Sequence, residues 1–205
     1  STPKPSSAAS DVYKRQIGVD PKFRVDIDQI EKSMRGRVFG QDLAIDTLVD
    51  SLNVSVAGLN DPTRPESYFF LGPTGVGKTE IAKAMGEGLF GDEVFLDRYD
   101  MSEYQTEADV EKFVHKVSDS VGKNPFGIRL FDEIEKAHRG VMDLFLQILD
   151  DGRLQDRYGR QVYFNNCYII FTTNIGHEQF ERARRTSTDM SKTVSYTHLT
   201  LPTKA

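Results

Sequence analysis

Apolar positions along the chain follow two periods, and the switch between them sets the order of elements. Ile27, Ile30 and Met34 share one face of a short polar helix over residues 26–35, at the spacing a 3.6-residue turn brings together. Ile45, Leu48, Val49, Leu52, Val56 and Leu59 repeat it and predict a longer helix from Gly40 to about Leu59. Pro62 and Pro65 break that pattern, since each removes a backbone donor and disfavours helix before it. The aromatic run at 67–71 reads as a buried parallel strand. A Gly-rich loop leads into a helix over 78–90 that buries Ile81, Met85 and Leu89. Strands are expected at 93–99, 127–131, 162–164 and 168–173, with helices at 140–149 and 176–185 and an irregular lead-in at 17–24. Strands alternating with helices predict an α/β fold, a parallel sheet sandwiched between helices.

Composition narrows the class without naming it. Of 205 residues, 38% are hydrophobic and 28% charged, an ordinary balance for a globular domain. One cysteine, Cys167, excludes an intramolecular disulfide and agrees with a reducing compartment. No apolar run is long enough to span a bilayer and no signal peptide opens the chain, which leaves the cytoplasm as the expected location. The net charge of −5 argues against general nucleic-acid binding, which needs clustered Lys and Arg.

Both ends read as foreign. The segments 6–16 (SSAASDVYKRQ) and 194–203 (VSYTHLTLPT) back-translate to one DNA string and its reverse complement, which resembles a transposase-type sequencing adaptor. Residues 1–16 and 193–205 are therefore expected to be adaptor-like and disordered, with one nucleotide-binding domain over 17–192 that is a piece of a longer protein. Setting the ends aside removes Lys4, Lys14, Arg15 and Lys204 against only Asp11, so the domain itself is more acidic than the whole chain.

The chemistry concentrates in three places. Gly72-Pro73-Thr74-Gly75-Val76-Gly77-Lys78-Thr79 fits GxxxxGK[ST] between an apolar strand and a helix. The glycines let backbone N–H groups turn toward phosphates, and the helix N-terminus adds a favourable dipole. Lys78 would neutralise β- and γ-phosphate charge, and Thr79 would ligate Mg2+. Leu130-Phe131-Asp132-Glu133 ends a second apolar strand in two carboxylates, at the sheet edge where open α/β folds bind ligands. An Asp-Glu pair alone more often opens a solvated helix. In the same sheet as a phosphate loop it reads as the metal-holding Asp132 and the general base Glu133, which orients and deprotonates the attacking water. Asn174, after Thr172-Thr173, ends another strand between the two motifs and reads as a sensor of the γ-phosphate or that water.

Further segments widen the match. Arg37-Val38-Phe39-Gly40-Gln41, Ala57-Gly58-Leu59, Asp100-Met101-Ser102-Glu103-Tyr104, Phe131 through His138 and Leu146 through Leu154, together with the phosphate loop, resemble the second ATPase module of Clp/Hsp100 unfoldases of the ClpB type. The resemblance covers nearly the whole interior and identifies a P-loop NTPase, the large subdomain of an AAA+ ATPase. It implies ATP and Mg2+ as cofactors, a hexameric ring with nucleotide at subunit interfaces, protein substrates, and a protease or co-chaperone partner. It also implies that Val38 and Phe39 border the adenine. Arg160 falls at the arginine-finger position that reaches a neighbour's γ-phosphate, with Arg153 as a weaker second choice.

Two departures qualify this. The family's Gly-aromatic pore loop, which grips polypeptide, is missing: residues 105–115 read QTEADVEKFVH, a charged half-amphipathic helix with Val110, Phe113 and Val117 on one face. Phe113 is expected to be a core contact rather than a substitute grip. The helical lid with its second sensor arginine is expected to be cut short after the 176–185 helix, whose Arg182, Arg184 and Arg185 read as a solvated face. The leading function is ATP-driven protein remodelling. The alternative is an AAA+ switch that remodels a partner assembly, nucleic-acid machinery included, without threading. A nucleotide-gated scaffold is disfavoured, because a pure binding module has no need of Glu133.

Overall fold

The computed structural model describes residues 25–73, 75–91, 95–156 and 158–174, together with the backbone of 196–197. Two helices open the described chain, α1 (Ile27–Arg37) and α2 (Asp42–Val56). Strand β1 (Glu66–Leu71) follows, then α3 (Lys78–Phe90), β2 (Leu96–Asp100), α4 (Glu107–Lys123), β3 (Gly127–Asp132) and α5 (Arg139–Asp151). A short hairpin of β4 (Arg153–Gln155) and β5 (Gln161–Tyr163) precedes β6 (Cys167–Thr173) and β7 (Tyr196–Thr197).

The sheet order is β2-β3-β6-β1-β7, with the first four strands parallel and β7 antiparallel to β1. Every neighbouring parallel pair is therefore joined by a crossover, which needs helices on the faces. Side chains alternate across the sheet accordingly. Tyr68, Phe70, Ile128, Leu130 and Ile170 face α1, α2 and α3, meeting Ile30, Met34, Ile45 and Met85 in one core. Tyr99, Phe131, Ile169 and Phe171 face the opposite way, against Phe113, Val117, Phe145 and Ile148 of α4 and α5. Phe131 anchors that second core, with ring centroids 4.7 Å from Phe145, 5.1 Å from Tyr99 and 5.9 Å from Phe113. The α/β sandwich expected from the alternation is present.

Local chemistry sets the helix ends. Asp26 caps α1 by accepting from the Gln29 N–H at 3.0 Å, which satisfies one orphan donor of the first turn. At α4 the Asp109 carboxylate accepts from the Thr106 hydroxyl at 2.6 Å and the Thr106 N–H at 3.1 Å, reaching back to the helix start as the acidic residue of a capping box does. Helix α1 presses closely onto α3 at Gly88, where a Cβ would lie 2.2 Å from Cγ1 of Ile30.

Several boundaries differ from the sequence expectation. Helix α2 ends at Val56 because the chain turns at Ala57 and Gly58, and Leu59 is left 76% exposed. Residues 162–164 were expected as a strand of the sheet. Instead β5 pairs antiparallel with β4, Leu154 beside Val162, and β4 is an element with too few residues to leave a periodic signal. Tyr196–Thr197 pair with β1 within the stretch set aside as adaptor-like, so these two positions carry structure where none was expected. The lead-in at 17–24 and the helix at 176–185, with Arg182, Arg184 and Arg185, lie outside the described residues.

Candidate nucleotide site

The carboxyl ends of β1, β3 and β6 converge with the start of α3 on one cavity of about 350 Å³. Gly75, Gly77, Lys78, Thr79, Asp132, Glu133 and Asn174 line it, together with Glu80, Arg98 and Asp100. The loop from β1 to α3 takes this shape through backbone angles that L-residues avoid: φ is 87° at Gly75 and 101° at Gly77. Gly77 also has no room for a side chain, since a Cβ there would come within 2.7 Å of Val38 Cγ1. Thr74 lies outside the described residues; Pro73 and Val76 complete the loop around it.

Lys78 is the first residue of α3 and is buried. Its ammonium donates to the carbonyl of Gly72, to that of Pro73 at 3.2 Å and to Asn174 Oδ1 at 2.9 Å. Burial lowers its pKa, opposed by the nearby charges of Asp132, Glu135 and Glu133. The cation is thus desolvated and held by neutral acceptors at the mouth of the loop.

Asp132 ends β3, with Oδ1 accepting from the Thr172 hydroxyl and Oδ2 lying 2.5 Å from Arg98 Nη2. Glu133 follows in the left-handed region (φ 57°, ψ 52°), the one non-glycine residue with positive φ among the described residues. That conformation costs about 1–2 kcal/mol, and such outliers collect at functional sites. It is fixed by the Glu133 N–H donating to Thr172 Oγ1 at 3.0 Å. Its carboxylate accepts from Asn174 Nδ2 at 3.1 Å and from the Lys136 ammonium. The Asn174 backbone N–H donates to Glu135 Oε1 at 3.1 Å.

The structure therefore gathers Lys78, Thr79, Asp132, Glu133 and Asn174 in one cleft. Val38 is buried behind the loop against Gly77, while Phe39 is 84% exposed. Arg160 is not brought to the cleft. It sits at the tip of the β4–β5 hairpin, where Asp156 Oδ2 accepts from its Nε at 2.7 Å and Asp156 Oδ1 from its backbone N–H at 2.9 Å. Burial raises the Asp156 pKa, but the hydrogen bonds from Arg160 and Tyr158 outweigh it and the net shift is downward. The guanidinium carbon also lies 5.8 Å from the centroid of the Tyr158 ring, and the side chain is 70% exposed. Arg153, on the same hairpin, is exposed.

Sequence reasoning missed Arg98, Thr172 and Lys136. Arg98 and Asp100 share a face of β2 by strand alternation, with Asp100 in register beside Asp132, so the period of two could have flagged Arg98. Thr172 is a buried hydroxyl in an apolar strand, a pattern that asks for a polar partner.

The residues present fit a nucleotide triphosphate and a hard cation. The loop supplies N–H groups and a buried ammonium for phosphate oxygens, and the Thr79 hydroxyl and the Asp132 carboxylate line the same cavity, an oxygen-donor set that suits Mg2+.

Comparison with known proteins identifies the family. Residues 64–201 match the family described as AAA domain (Cdc48 subfamily). The chaperone protein ClpB of Aquifex aeolicus is 47% identical over 163 residues, covering 73% of this chain and 16% of that protein. ClpB of Bacteroides thetaiotaomicron is 47% identical over 185 residues, 82% of this chain and 22% of its own length. The mitochondrial chaperone protein ClpB4 of Arabidopsis thaliana is 42% identical over 178 residues, 80% and 18% of the two chains. The chain thus spans only 16–22% of the length of these relatives. With a matched family over most of its length and the nucleotide cleft in place, the chain belongs to the AAA ATPases, as a module of the Clp/Hsp100 type.

Proposed function

We propose that this module binds Mg2+-ATP in the cleft and hydrolyses it to drive protein remodelling. The observation that carries the reading is the chain Lys78–Asn174–Glu133, in which one amide joins the buried cation to the carboxylate of a residue with left-handed backbone. Lys78 and the loop N–H groups hold the phosphates, and Thr79 and Asp132 hold Mg2+, which supplies charge neutralisation when bound. Glu133 receives the proton of the attacking water, and Asn174 keeps that carboxylate and the ammonium in fixed relation. Val38 and Phe39 form the adenine side.

Arg160 acts on a neighbouring subunit. Its place outside the lining of its own chain's cleft and the exposure of its side chain support action across an interface, in a ring whose size is taken to be six. Unfolded or aggregated protein is the proposed substrate, because relatives named chaperones match most of this chain and weigh against a switch serving nucleic-acid machinery. A protease or co-chaperone is the proposed further partner. No helix among the described residues is long and apolar enough to cross a membrane. Cys167 is buried, with its thiol pushed up to about 11, and a reducing cytoplasmic setting suits it.

The deciding variant is Glu133→Gln. It is expected to bind ATP as the wild type does and to hydrolyse it at least about a hundredfold more slowly. Turnover at the wild-type rate would remove Glu133 from the base role.

A further inference from the structure

Arg98 belongs to none of the motifs above, yet its guanidinium occupies the metal side of the cleft. We propose that Arg98 is a positioning residue that holds Asp132 while the cleft is empty and makes cation binding conditional on nucleotide. Both oxygens of Asp132 are engaged: Oδ1 by the Thr172 hydroxyl, Oδ2 by Arg98 Nη2 at 2.5 Å. The carboxylate is 13% exposed, so a cation has little freedom to approach it from another side, whereas the guanidinium is 55% exposed and free to swing away. A dication arriving alone must displace a like charge from its own ligand. A phosphate chain entering the same cavity changes that balance, since its oxygens give Arg98 another anion and leave Oδ2 to the metal. The exchange keeps Asp132 oriented in the empty state, and it couples metal loading to nucleotide arrival.

The proposal rests on the nucleotide reading above, and the two can fail separately. Mn2+ binding to the nucleotide-free full chain is measured by electron paramagnetic resonance for the wild type, Arg98→Gln and Arg98→Met. Lys83→Gln serves as a control for loss of a nearby positive charge, because Lys83 pairs with Glu80 at 2.7 Å instead. Both Arg98 variants are expected to bind Mn2+ about threefold to fivefold more tightly, the range of a partly exposed ion pair. The control is expected to match the wild type, and Arg98→Lys to fall between. Fluorescent ATP titrated at rising Mg2+ should show half-saturation at correspondingly lower Mg2+ in the two neutral variants. Metal affinities unchanged in both neutral variants, or shifted equally in Lys83→Gln, overturn the proposal. Failure of the wild type to bind fluorescent ATP at any Mg2+ concentration overturns the nucleotide reading instead.

Discussion

Lys78 and Asn174 are hydrogen-bonded across the cleft, ammonium Nζ to amide Oδ1 at 2.9 Å, although 96 positions separate them in the chain. The other half of the same amide donates to Glu133 at 3.1 Å. Only this orientation satisfies both neighbours, since an ammonium has no acceptor and a carboxylate no donor. Asn174→Ala breaks the link while leaving loop and strand intact. It is expected to change ATP affinity by no more than about threefold and to slow hydrolysis on the order of a hundredfold, as loss of one preorganised donor does. Nucleotide titration beside steady-state phosphate release separates the two effects.

Lys78 contributes differently to the empty and the loaded protein. Burial lowers its pKa from the usual 10.5, so the unfolded chain holds that proton more tightly than the folded one. The charged form costs stability at neutral pH, and the cost fades as pH rises through the folded value toward 10.5. Lys78→Met is therefore expected to melt no lower than the wild type when empty, with any advantage shrinking at alkaline pH. Stabilisation by ATP should vanish in the variant, against about 2.7 kcal/mol in the wild type at a hundredfold excess over Kd. Thermal melts with and without nucleotide across pH check both parts.

Arg160 stands outside the cleft of its own chain, tied to Asp156 by its Nε and backbone. Arg160→Ala is expected to leave nucleotide affinity within about twofold and to reduce turnover about a thousandfold in the assembled state, the scale of a lost arginine finger. Mixing Arg160→Ala with Lys78→Met subunits tests action across the interface: partial recovery of hydrolysis is expected, because an intact cleft can then face an intact finger. No recovery, with assembly confirmed by light scattering, counts against the assignment.

What the sequence disclosed follows from how local each signal is. The phosphate loop, the Asp132–Glu133 pair and the boundaries of α3 depend on neighbours in the chain, and they stand where spacing put them. Asn174 was legible because it directly follows β6, a long apolar run ending beside the loop. Arg98 and Thr172 were not, because their partner Asp132 lies 34 and 40 positions away and is reached only through strand order. Strand β4 and its pairing with β5 escaped for another reason: a three-residue strand carries too few positions for a period, and tertiary contact through Leu154 decides it.

Phe113 shows how burial decides between a grip and a core contact. It occupies the stretch where the resembling family carries its pore loop, yet its side chain has no exposed surface. Its ring meets Tyr104 and Phe145 edge-on, both at 5.3 Å, and lies 5.9 Å from Phe131. A residue so enclosed cannot touch a passing polypeptide without unfolding α4. Phe113→Ala is expected to cost about 3–5 kcal/mol of stability, since the cavity between the two helices and the sheet would collapse only partly. Phe113→Leu keeps most of the volume and should cost less than about 1.5 kcal/mol. Urea unfolding ranks the two. If the variants instead matched the wild type in stability while losing a substrate-dependent activity, Phe113 would be a contact residue. The buried ring cluster around it predicts the reverse.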